Sequence, residues 1–103
     1  MKTIKPFTQF PNTVLEKITS SKFNGTQYAI LLALIRATYG FHEESRTLGI
    51  KFFVKATERN RDHLARELTV LRKRNIIIVV KKQTYNESRE LALNEDCYCW
   101  LQE

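Results

Sequence analysis

Residues 60–74 read NRDHLARELTVLRKR, and the reading of the whole chain turns on this stretch. Leu64, Leu68 and Leu71 recur at i, i+4 and i+7, which makes one apolar stripe on an amphipathic helix. Asn60 suits the N-cap, because its side-chain oxygen can accept amides that the first turn leaves unpaired. Arg72, Lys73 and Arg74 crowd the last turn, where cations complement the helix dipole. A helical wheel sets Asp62, Arg66, Thr69 and Lys73 opposite the leucines, with His63 beside them.

Upstream, residues 50–57 show a short helical pattern with Ile50, Phe53, Val54 and Ala56 inward, and Glu58-Arg59 make the turn. Downstream, residues 76–80 are an uninterrupted β-branched run, a strand that ends in Lys81 and Lys82. Residues 83–88 are turn-like, with Tyr85 at the tip, and residues 89–93 return as a second strand. Helix, tight turn, basic helix and hairpin in this order predict an α+β, mostly helical, winged helix-turn-helix. Three to four helices would form the core.

Further out, residues 1–10 read as an extended arm, since Pro6 and Pro11 discourage helix, with Phe7 and Phe10 docking on the body. A first helix begins at Pro11 and runs to about Ser20, with Val14, Leu15 and Ile18 inward. Asn24 and Gln27 form a capping box that opens a second helix over residues 25–39. That helix is apolar nearly all round, which places it at the centre, and Gly40 ends it at C′. Residues 41–47 are a polar loop and residues 48–50 a short strand. The tail, residues 94–103, folds back onto the first helix, with Tyr98 and Trp100 as a hydrophobic clasp and Leu101 beside them.

A chain of 103 residues suffices for one domain with one modest core, residues 1–103. Its 43% hydrophobic content excludes a disordered chain, and its longest central apolar run, residues 28–35, is too short to span a membrane. The N-terminus has no apolar segment followed by a cleavage site, so no leader is expected. Cys97 and Cys99 are too close in sequence for a disulfide framework and lack companion zinc ligands, which fits a reducing cytoplasm. The net charge of +6 is unevenly placed: residues 51–82 hold ten Lys/Arg against three acids, the rest seven against eight. Such clustering favours a polyanionic partner over a merely solvated basic face.

No constellation for catalysis is present. His42 and His63 are the only histidines and neither stands in a recognisable triad; Gly25, Gly40 and Gly49 form no phosphate loop. The expectation is a non-enzyme with no cofactor and no metal.

Four stretches resemble the N-terminal domain of the bacteriophage replication protein O family, origin-binding initiators. Residues 7–12, FTQFPN, are similar to its opening F-T-x-[IF]-P-N. Residues 35–41, IRATYGF, match I-R-x-T-Y-G-[FW], the most specific of the four, and residues 60–68, NRDHLAREL, resemble S-R-x-x-V-x-R-A-L. Leu93-Asn94 and Trp100 correspond to a closing strand, Asn and Trp. One departure is Glu58-Arg59, where the family has glycine and an apolar residue in the bend; Glu58 would hold a positive φ at some cost. The resemblance implies duplex DNA at a replication origin as partner, repeated sites bound as a homodimer, no membrane, and the cytoplasm of a bacterial host. It also implies a helicase or helicase loader engaged through a region with no counterpart here, so that the chain is a fragment or a trimmed relative.

For such a partner Arg66 is the first candidate for a base contact, through a bidentate fork to guanine, in competition with a weak pair to Asp62. Arg59 and Arg61 flank the helix start, where phosphates are met. Asn60 caps rather than reads bases, His63 can reach a base or phosphate, and Thr69 and Lys73 continue the face. Lys81, Lys82 and Arg89 lie on the wing, where alternation sends only one of the two lysines to the DNA. The expected function is sequence-specific duplex binding by an initiator. The alternatives are a winged-helix transcriptional regulator, or an interaction module of a replication complex, which Val70 on the outward side would favour.

Overall fold

Helix α2, Gly25–Thr38, is the axle of the computed structural model, which describes residues 6–82 and 89–101. Its capping box forms as expected: Asn24 Oδ1 accepts the Gln27 amide at 2.8 Å and Gln27 Oε1 accepts the Asn24 amide at 3.1 Å. Ile30, Leu31, Leu34 and Ile35 are buried against Val14 and Ile18 of α1, Asn12–Ser20, and against the elements that follow. Leu32, however, is exposed, so α2 is central on three sides and open on the fourth. Leu15, expected inward, is exposed too, because α1 buries only its Val14–Ile18 line.

The second helix does not stop at Gly40. It tightens into a 3-10 turn, Tyr39–Phe41, and the left-handed residue is His42 at φ 58°. Gly40 lies close to the arm: a Cβ there would be 3.3 Å from Thr8 Oγ1, and 2.7 Å from Nη1 at the far end of the exposed Arg36 side chain. The arm thus packs on the end of α2, where Phe10 meets Tyr39 edge-on at 4.8 Å. Phe7, expected to dock as well, is exposed. Phe41 lies between the guanidinium groups of Arg36 and Arg46, at 5.0 and 4.8 Å.

Strand β1, Arg46–Leu48, forms two residues earlier than its expected position, because Gly49 caps the next helix. Helix α3, Ile50–Thr57, buries Phe53 and leaves Ala56 exposed, contrary to expectation. Glu58 ends it at φ 55°, and residues 58–60 form the turn into α4, Arg61–Lys73. Leu64 and Leu71 of α4 are fully buried, whereas Leu68 is half-buried; Val70, expected outward, is half-buried as well.

Helix α4 closes with Asn75 at φ 61°. The Ile76 amide donates to Leu71 O and the Asn75 amide to Arg72 O, both at 3.0 Å, and Ile76 packs on Leu71, the pattern of a Schellman cap. β2, Ile77–Lys82, then pairs antiparallel with β3, Arg89–Leu93, and β1 adds to the other side of β3, giving the order β1-β3-β2. A bulge between Val79 and Lys81 kinks the edge strand, and Ile78 and Val80 are exposed on it. Helix-turn-helix followed by an antiparallel hairpin makes this a winged helix, as read from the sequence. Residues 83–88, with the expected turn at Tyr85, lie outside the described residues.

The tail is locked by the residues that carry the closing stretch of the resemblance. Asn94 Nδ2 donates to Asn75 O at 2.8 Å, and Trp100 Nε1 donates to Asn94 O at 2.8 Å. Trp100 faces Phe23, with ring centroids 6.4 Å apart, rather than Tyr98, which is fully exposed. Cys97 packs on the core beside α1, as a tail folding back onto that helix requires. Among the described residues no group of side chains could hold a metal, and no helix is long and apolar enough to cross a membrane.

Candidate nucleic-acid interface

The geometry of α4 starts from two anchors. Asn60 is extended, and its Oδ1 accepts the amides of Asp62 at 2.9 Å and His63 at 3.1 Å, which commits that oxygen to the cap. The second anchor is Glu67, a buried carboxylate that the hydrophobic pattern did not single out. Its Oε1 accepts from Gln27 Nε2 at 2.9 Å and from Asn24 Nδ2 at 3.1 Å, so the capping box of α2 holds the middle of α4. His63 Nε2 lies 3.9 Å from Glu67 Oε2 and half of the imidazole is exposed. A charge at the N-terminus of α2 also suits that helix's dipole.

With Leu64, Glu67, Leu71 and Arg74 buried, the opposite side of α4 is free for a partner. Arg66 and Lys73 are exposed, and neither makes a hydrogen bond or ion pair among the described residues. The competing pair between Arg66 and Asp62 is therefore not formed. Thr69 is half-buried and its hydroxyl donates to Ala65 O at 2.9 Å. Arg59 is exposed on the turn, where Nη1 donates to Thr57 O at 3.2 Å. Lys81 and Lys82 pair across the hairpin with Glu90 and Arg89, and the expectation for their side chains lies outside the described residues.

Arg61 and Arg89, from opposite ends of this list, come together. Both line a cleft of about 370 Å³ between α4 and the sheet, floored by Leu48, Ile50, Leu68 and Leu91. The third cation in it is Arg72, which the sequence reading had assigned only to the helix dipole. Burial, and then the charge of Arg89, lower the Arg72 pKa from its ordinary value. The Arg72 Nε is buried with no hydrogen-bond partner among the described residues. Among the described lining residues none is acidic. Arg74 also has a buried nitrogen without a hydrogen-bond partner among the described residues, Nη1, but it faces the frame: it stacks on Phe23 at 4.9 Å, and its Nε donates to Leu101 O at 2.9 Å. The signal for Arg72 was its spacing from Arg61 and Leu68, which puts all three on one side of the helix.

A family model described as bacteriophage replication protein O matches residues 3–96, nearly the whole chain. No curated protein sequence matches significantly. Among solved structures, one entitled "Mechanism for regulation of DNA binding of Bordetella bronchiseptica BpsR by 6-hydroxynicotinic acid" aligns with a TM-score of 0.52 at 19% identity, over 81% of this chain and 53% of that one. At that identity the likeness is one of fold, and this chain spans about half the length of the one it matches.

Proposed function

The chain belongs to the bacteriophage replication protein O family, and from that premise we propose that it binds double-stranded DNA sequence-specifically, as the origin-recognition domain of a replication initiator. Helix α4 enters the major groove, Arg66 reads a base edge, and Arg59, Arg61, Lys73 and the wing hold the backbone. His63 and Thr69 complete the groove face, Asn60 fixes the helix start, and Arg89 with one of Lys81 and Lys82 makes the wing contacts. The observation that carries this reading is the exposed Arg66 and Lys73 on the side of α4 opposite its buried residues, in a segment with ten basic side chains against three acids. The module is non-catalytic and acts in the cytoplasm of a bacterial host, with a second copy of itself as protein partner.

A regulator of transcription would use the same surface. Selection of preferred sites from random duplexes, followed by mapping of the enriched site, separates the two roles by where the site lies. On that site Arg66→Ala is expected to lose about 1–3 kcal/mol of binding, with much less lost on scrambled DNA and an unchanged melting temperature. Equal losses on both duplexes would move Arg66 from base to backbone. No loss on either would remove α4 from the groove.

A further inference from the structure

Among the described residues the cleft between α4 and the sheet is lined by Arg61, Arg72 and Arg89 and by no acid, and of these Arg72 and Arg89 crowd one another. Arg89 and Leu91 share one face of β3, so alternation turns the neighbouring Glu90 to the other face. Arg72 is the centre of the arrangement: it is partly desolvated, beside a like charge, with a buried Nε aimed at no described acceptor. Its side chain also borders a second depression, between α4 and β2, together with Thr69, Lys73 and Asn75. The two depressions meet at Thr69 and Arg72 and make one basic seam along the helix–wing junction. Arg61 and Arg72 stand about 16 Å apart along the helix axis at 1.5 Å per residue, a longer reach than any single small anion needs.

Resting on the duplex-binding reading above, we propose that this seam is a track for one strand of the DNA backbone, in which Arg72 and Arg89 pinch a single phosphodiester. The apolar floor of the cleft takes the adjacent deoxyribose, and Arg61 meets a phosphate further along the strand. Arg72 thereby fixes the register in which Arg66 meets the bases. A planar fork on a desolvated stem is suited to this, since it grips two phosphate oxygens and loses little hydration on binding.

The test neutralises phosphates one at a time, by methylphosphonate substitution along both strands of the selected duplex, and compares the parent with Arg72→Met. Methionine keeps the apolar stem and removes the charge. The parent is expected to lose about tenfold or more in affinity at one or two backbone positions. Arg72→Met is expected to bind the unmodified duplex about 10-fold to 100-fold more weakly, to ignore neutralisation at those positions, and to have a salt slope about one unit shallower. Its melting temperature should match or exceed the parent's, because a crowded cation has been removed. If Arg72→Met does not fold, Arg89→Met on the other wall takes its place with the same expected profile. A variant with the parent's neutralisation profile would overturn the track and leave duplex binding standing. A parent that binds no duplex would overturn both readings. If inorganic phosphate then raised the melting temperature of the parent but not of Arg72→Met, the cleft would pass to a free anion.

Discussion

Glu58 sits at φ 55°, a conformation that costs an L side chain about 1 kcal/mol and glycine nothing. Glu58→Gly should therefore raise the melting temperature by about 4 °C in a chain of this size, whereas Glu58→Ala should not; thermal denaturation decides. Equal behaviour of the two variants would mean that the bend relaxes. Tyr39 makes a second prediction. Burial, and then the hydrogen bond it donates to Glu95, raise its pKa well above the ordinary value near 10. Below pH 10 the phenol is protonated both folded and unfolded, and its contribution is fully present. As pH rises past 10 the unfolded chain ionises first, so this stability is lost as pH climbs towards the folded value. Tyr39→Phe should flatten the alkaline limb of a stability–pH curve, by less than one proton because Glu95 is exposed. An unchanged limb would assign the alkaline loss to other groups. The positive φ at Glu58 was legible as a mismatch with the family's glycine, but the partner of Tyr39 was not, since Glu95 is 56 residues away.

At the scale of the element, α4 shows how a hydrophobic pattern can be right in kind and shifted in phase. The leucine stripe correctly gave an amphipathic helix, but its buried arc runs through Leu64, Glu67, Leu71 and Arg74, and Leu68 stands at the edge of that arc, on the floor of the cleft. The hydrophobic pattern singled out neither Glu67 nor Arg74, because both are charged. They are inward because distant groups engage them: the capping box of α2 in one case, Phe23 and Leu101 in the other, although Arg74 Nη1 is left without a hydrogen-bond partner among the described residues. The two leucines are consequently unequal. Leu64→Ala should cost about 2–5 kcal/mol in urea unfolding, and Leu68→Ala no more than about 2 kcal/mol, since less of its surface leaves water. A Leu68 loss equal to that of Leu64 would put the stripe back at the centre of the buried arc. The same logic covers the strands: the two wing strands were written in the sequence, while the pairing of β1 with β3 and the bulge at Val79/Lys81 belong to the meeting of strands and to none of them alone.

For the whole molecule, charge placement is the property most open to measurement. Duplex affinity should fall with salt along a log–log slope of about −4 to −5, as for four to six neutralised phosphates. Affinity that is flat with salt, or absent at low salt, would favour the interaction-module reading. The architecture itself could be read from the order of elements, but the exposure of Leu15, Leu32, Phe7 and Tyr98 could not, since a pattern of apolar residues does not say which of them find a neighbour. The resemblance motifs turn out to hold the frame together: Thr8 and Phe10 against Gly40 and Tyr39, Asn94 and Trp100 across the tail. Glu67 sets the mechanical character of that frame. Helix α4, whose midpoint is hydrogen-bonded to the first turn of the central helix, cannot rock or slide without breaking bonds inside the core. Its ordering entropy is spent on folding and not on association, so the protein meets its partner as a rigid template. In the duplex complex proposed above, adjustment then falls to the DNA, and sites with easily deformed base steps gain an advantage at positions that no side chain touches.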